Sequence, residues 1–132
     1  MNFHKTKIKL VRAYEVGEPK MFVRILVDRL WPRGLSKQKL EIDYWEKELA
    51  PSVALRKWYH EDLSRWSEFK ERYELEMEVN KVYLSQFLFK MAEEEEIHLI
   101  YGAKNKEENH AIVLKKFLDS LRQSIENRQL NK

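Results

Sequence analysis

The sequence predicts an α/β fold, a small single domain in which a short, mainly parallel sheet is covered by helices, and three observations carry that expectation. Residues 22–27 form a near-continuous apolar run interrupted by Arg24, the pattern of a central strand buried on both faces rather than of a half-exposed hairpin strand. Residues 64–91 carry Trp66, Phe69, Tyr73 and Met77, then Leu84, Phe87, Leu88 and Met91, at helical steps of three and four. Another apolar run, 97–101, follows them. The order is therefore strand, strand, several helices, strand, helix, and a right-handed crossover through the helices puts the last strand parallel in the same sheet. An α+β arrangement that opens with a hairpin is the alternative, because residues 16–20 are few enough to join antiparallel strands.

The elements follow in order. Residues 8–14 have the apolar character of a first strand, and 16–19, with Gly17 and Pro19, read as the turn after it. The second strand is 22–27. Pro32 and Gly34 then break the chain, and Ser36 caps a short turn toward Leu40. Asp43 precedes an expected helix over 44–49, with Glu46 at capping-box spacing and Pro51 as its stop. Ser52 caps a short helix through Tyr59, on which Leu55 and Trp58 share a face, and 60–63 is read as a loop. The periodic stretch 64–91 is one long helix or two joined near Asn80. The acidic run 93–96 exposes the connection to the strand 97–101. A closing helix spans about 107–127, and the tail, about 127–132, is expected to fray.

Composition narrows the class. The 132 residues, 43% hydrophobic and 12% aromatic, suffice for one continuous core despite 36% charged content. There is no cysteine, which removes disulfides and thiolate chemistry and fits a reducing compartment. Residues 1–10 lack the apolar segment of a signal peptide and no stretch approaches membrane-span length, so the expectation is a cytoplasmic protein with no membrane partner. A net charge of +3 permits nucleic-acid contact, but 22 acidic residues among 25 basic ones make that a weak signal.

Chemistry concentrates at two strand ends. VDRLWPRG, at 27–34, places charge where a buried strand should stop, and YGAKNKEENHA, at 101–111, does the same after the last strand. In open parallel sheets ligands bind outside the carboxyl ends of the strands. Asp28 and His110 are the candidate catalytic groups: Asp28 can orient an arginine, accept a ligand hydroxyl or act as a base, and His110 lies near a helix start that favours its neutral form. Arg29, Arg33 and Arg56 can clamp an anion or hold acidic side chains in structural pairs. Gly102 and Ala103 leave room for a ligand to approach the backbone, and Lys104 after them adds charge beside the closing helix or is a solvated loop residue; Asn109, beside His110, is a further ligand-binding candidate; and Trp31 packs the loop or stacks a ring. His60 can be an acid, base or metal partner if folding brings it near. No histidine spacing suits a metal, the Walker pattern is absent, and Ser52 lacks a nucleophile-elbow context, so no metal, cofactor or serine nucleophile is expected.

VDRLWPRG at 27–34, ELAPSVALRKWYH at 48–60, RWSEFKERYELE at 65–76 and LIYGAKNKEENHAIVLKKFL at 99–118 together resemble the YeaO-like family of bacterial proteins, domain of unknown function 488. The resemblance covers almost the whole chain and implies a compact bacterial α/β domain with no assigned reaction. Longer members resemble it with a cysteine after the last strand and a Cys-His-Arg triplet at the closing helix. Gly102 and Asn109, His110, Ala111 stand there in this chain, so cysteine chemistry does not carry over and His110 alone matches.

Three readings follow. A small anionic or nucleotide-like ligand binds where the two strand ends meet, with or without a reaction on it. Alternatively the Trp31 loop with Trp58 or Tyr59 contacts nucleic acid, or the same motifs serve a non-catalytic protein-interaction domain. The sequence leaves the oligomeric state undetermined.

Overall fold

A computed structural model describes residues 6–130, the side chain of residue 130 excepted. Four strands, β1 (Lys7–Arg12), β2 (Val23–Leu26), β3 (Tyr44–Trp45) and β4 (Glu96–Tyr101), form one sheet in the order β1-β4-β2-β3 with every pairing parallel. The initial hairpin is thereby excluded: β4 inserts between β1 and β2, and the segment joining those two crosses the sheet instead of turning back beside it.

Five helices complete the fold: α1 (Lys37–Leu40), α2 (Val53–Glu61), α3 (Trp66–Val79), α4 (Lys81–Met91) and α5 (His110–Leu130). Successive strand side chains point to opposite faces. Ile25 and Val27 with Ile97 and Leu99 therefore face the main core against Phe69, Tyr73, Leu84, Leu114 and Leu118, while Leu26 and Ile100 face a smaller core with Ala13 and Leu40. Helices α2 to α5 supply the first; on the other face Val16, Trp31, Leu35 and Ile42, from the connections before β2 and β3, pack against the second. The near-continuous apolar run of β2, broken only by Arg24, is the consequence of burial on both faces. Arg24 is tolerated there, 5% exposed, because its guanidinium donates to the carbonyls of Leu40 and Gly17.

Several expected boundaries move. The helix expected over 44–49 is instead the edge strand β3 followed by a 3-10 turn, Lys47–Leu49. Asp43 does not cap it: its carboxylate accepts the Arg24 N–H at 2.8 Å, while the N–H groups of Asp43 and Glu46 donate to Arg24 and Leu26 carbonyls. Two adjacent aromatics beside an open strand edge gain more from ladder pairing than from a single helical turn. β1 stops at Arg12, with 13–15 in a 3-10 turn, and α2 runs on to Glu61, so His60 is helical. Glu96, expected in an exposed connection, is buried in β4 with its carboxylate on His98 at 2.6 Å. The two-helix alternative for 64–91 holds, with Asn80 between α3 and α4. α5 begins at His110 because Asn105 caps the N–H groups of Glu107 and Glu108 in a preceding turn. It reaches Leu130, so 127–130, expected to fray, are helical, and the rest of that tail lies outside the described residues, as do residues 1–5 of the segment searched for a leader. No helix among the described residues is long and apolar enough to cross a membrane.

Candidate functional site at the ends of β2 and β4

β2 and β4 are neighbours, so Asp28 and Gly102 emerge side by side at the carboxyl edge of the sheet. Asp28 Oδ2 accepts the Gly102 N–H at 2.9 Å. A side chain at residue 102 would obstruct this: a Cβ there would stand 2.9 Å from Oδ2. The absence of a Cβ at 102 thus admits the chain's own carboxylate.

His110, first residue of α5, closes the group. Its Nε2 lies 2.9 Å from the Val27 carbonyl oxygen and 3.1 Å from Asp28 Oδ1, a buried oxygen with no hydrogen bond of its own. Two acceptors facing one ring nitrogen require that nitrogen to carry the proton. Asp28 and His110 are thus brought together, and each is engaged with backbone as well as with the other.

α2 supplies the open side. Arg56 and His60 lie one turn apart, and His60 is held below the usual imidazole range by partial desolvation first, then by the charges of Arg56 and His110. Arg56 is half-buried, and its guanidinium makes no hydrogen bond or ion pair among the described residues. That is unlike the other partly or wholly buried arginines: Arg12, Arg24, Arg29, Arg65 and Arg122 each donate to a main-chain carbonyl.

The remaining sequence candidates fall elsewhere. Arg29 Nε donates to the Pro51 carbonyl at 2.8 Å and its Nη1 stands 3.9 Å from Glu48, which ties the loop to the start of α2. It borders a cavity of about 520 Å³ between 48–52 and α3, to which neither Asp28 nor His110 contributes. Tyr73 also lines that cavity, and its ring stands 6.4 Å from that of His110. Wholly buried, Tyr73 donates its hydroxyl to the Leu49 carbonyl, and burial, then the Glu76 and Asp28 charges, raise its pKa well above 10. Trp31 donates Nε1 to the Leu35 carbonyl at 2.6 Å and meets Trp45 edge-on, a packing role. Asn109 is buried as the cap of α5, accepting the Ile112 N–H at 3.1 Å. Arg33 and Lys104 are exposed and unpaired among the described residues. Ser52 spends its hydroxyl on Leu55 N–H and on Glu76. No group of three or more metal-ligating side chains occurs among the described residues.

Sequence reasoning treated Gly102 as room for a ligand and Tyr73 as one more core aromatic. Their contacts join positions 74 and 24 residues apart, beyond any local signal. His60 was flagged without a partner; Arg56 on its own helix and His110 across the fold are the charges that act on it.

A family model described as the inactive DUF488-N3 subclade matches residues 7–131. Uncharacterised protein YeaO of Escherichia coli K12 is 40% identical over 114 residues, covering 86% of this chain and 98% of its own length. Uncharacterised proteins of Mycobacterium bovis and Mycobacterium tuberculosis are each 33% identical over 115 residues, covering 87% of this chain and 96% of theirs. No solved structure is significantly similar.

Proposed function

The chain belongs to the inactive DUF488-N3 subclade, and we propose that it binds a small anionic or nucleotide-like ligand beside the ends of β2 and β4 without transforming it. The observation that carries this reading is Arg56, a half-buried guanidinium left without an acceptor where every comparable arginine has one. Partly desolvated donors need partners, and a phosphate or carboxylate matches the guanidinium fork with two parallel hydrogen bonds. His60, one turn along α2 from Arg56, adds positive potential once pH falls below its lowered pKa.

The reading is non-catalytic because the acid and base candidates are occupied. Asp28 accepts the Gly102 N–H, and the proton on His110 Nε2 is held between a carbonyl and a carboxylate. The hydroxyl of Ser52 is committed to Glu76 at 2.6 Å, away from this group.

The test is thermal unfolding of the full chain with phosphate, small carboxylates, sugar phosphates and nucleotides. A ligand that binds the folded state raises the melting temperature by mass action. One anion class should give a rise that is lost in Arg56→Gln and that grows as pH falls well below the ordinary imidazole value of about 6.5 and His60 gains charge. A rise of equal size in Arg56→Gln, or none with any of these anions, overturns the reading.

A further inference from the structure

The other side of the same sheet edge carries a different feature. Residues 29–40 contain Arg29, Arg33, Lys37 and Lys39 and no acidic residue. Arg33, Lys37 and Lys39 are exposed and have no ion pair among the described residues. Lys9, Lys20, Lys81, Lys90, Lys106 and Lys115 are each set against a carboxylate, whereas Lys7, Lys57 and Lys116, on β1, α2 and α5, also have no ion pair among the described residues. The clustering along one acid-free segment is what sets Arg33, Lys37 and Lys39 apart.

Contacts join this segment to the β4–α5 loop. The Tyr14 hydroxyl donates to the Arg33 carbonyl at 2.7 Å; the Arg12 guanidinium stands 4.6 Å over the Tyr14 ring and donates through Nε to the Ala103 carbonyl at 3.0 Å. Lys104, exposed and unpaired, is the next residue. Tyr14 itself is 41% exposed. Tyr14 is thus an accessible ring backed on one side by a guanidinium and tied through hydrogen bonds to two segments that between them carry four exposed, unpaired cations.

We propose that this face binds single-stranded nucleic acid, with phosphates against Arg33, Lys37, Lys39 and Lys104 and a base against Tyr14. Unpaired surface cations attract a phosphodiester chain through counterion release, and an exposed ring adds sequence-tolerant stacking. The site uses other residues than the Arg56 group: its cations lie between β2 and β3 and in the β4–α5 loop, whereas Arg56 and His60 belong to α2.

The experiment is fluorescence anisotropy of a labelled oligodeoxythymidine titrated with the full chain at several salt concentrations. Four phosphate contacts give a slope of log affinity against log salt of about −2.8. The exposed double variant Arg33→Glu/Lys37→Glu should weaken binding more than tenfold and reduce the slope by about 1.4. Tyr14→Phe keeps the ring and most of the affinity, whereas Tyr14→Leu loses about tenfold. Arg56→Gln should bind the oligonucleotide as the unaltered chain does, so failure here and failure of the small-anion reading are separable. No binding at low salt, a slope untouched by the double variant, or equal affinity for polyglutamate or for vesicles of an anionic phospholipid overturns the proposal.

Discussion

A methyl group on Gly102 would meet Asp28 Oδ2 at 2.9 Å, so Gly102→Ala must push the carboxylate off the Gly102 N–H and away from His110. The expected loss is on the order of 2 kcal/mol, the cost of stranding a partly buried carboxylate. In Asp28→Ala that conflict is absent, so adding Gly102→Ala should cost much less, and a double-mutant cycle by urea unfolding measures the difference. Additive losses would mean that the two residues do not meet as described. At His60 the lowered pKa, from desolvation and then the Arg56 and His110 charges, makes a second prediction. Arg56→Gln removes one positive charge, so the imidazole pKa followed by NMR should rise toward its ordinary value of about 6.5. The sign for stability follows: the unfolded chain takes up this proton at higher pH than the folded one, so stability is present above about 6.5 and falls as pH drops below it.

Among the elements, α2 depends on the residue before it. Ser52 Oγ accepts the Leu55 N–H at 3.1 Å and donates to Glu76 at 2.6 Å, while Ser52 N–H donates to the other Glu76 oxygen at 2.8 Å. Ser52→Ala removes a cap and one donor to a half-buried carboxylate, and should cost about 1–2 kcal/mol in chemical unfolding. Ser52→Thr, which keeps the hydroxyl, should recover most of it; equal losses in both would show that the hydroxyl is not what matters. This cap was legible because a serine before a helical pattern signals locally. The α3–α4 junction at Asn80 and the buried run of β2 were legible for the same reason, since periodicity and a run of apolar residues are properties of neighbours in sequence. β3 was not. Asp43 followed three residues on by Glu46 is a helix-start pattern, and it was overridden by Arg24 and Leu26, whose backbone groups pair with this segment from 19 and 20 residues away. The candidate site divides in the same way: Asp28 and His110 were named at strand and helix ends, whereas the lack of an acceptor on Arg56 becomes visible only when the other arginines are seen to have theirs.

The whole molecule carries its tyrosines as a shared titration risk. Tyr59, Tyr73, Tyr83 and Tyr101 all have raised pKa values, with burial the first cause in each. Tyr83 reaches about 12, its hydroxyl bonded to the Glu46 carboxylate. They come from α2, α3, α4 and β4, so all the principal helices but α5 hold a phenol that ionises more easily once the chain unfolds. A group whose pKa is higher folded than unfolded contributes stability in full below its unfolded value, about 10, and loses it as pH rises toward the folded value. The losses coincide in pH and add, so the chain should unfold cooperatively above pH 10 rather than shed protons one phenol at a time. Ultraviolet difference absorbance of phenolate, recorded with far-ultraviolet circular dichroism on the same samples, tests this directly. A steep phenolate rise that coincides with loss of helix is the expected result, and Tyr83→Phe, which removes one of these phenols, should move the midpoint upward. A gradual rise near pH 10 with the helices intact would mean that these hydroxyls reach solvent in the folded protein and that the core between sheet and helices is looser than its packing implies.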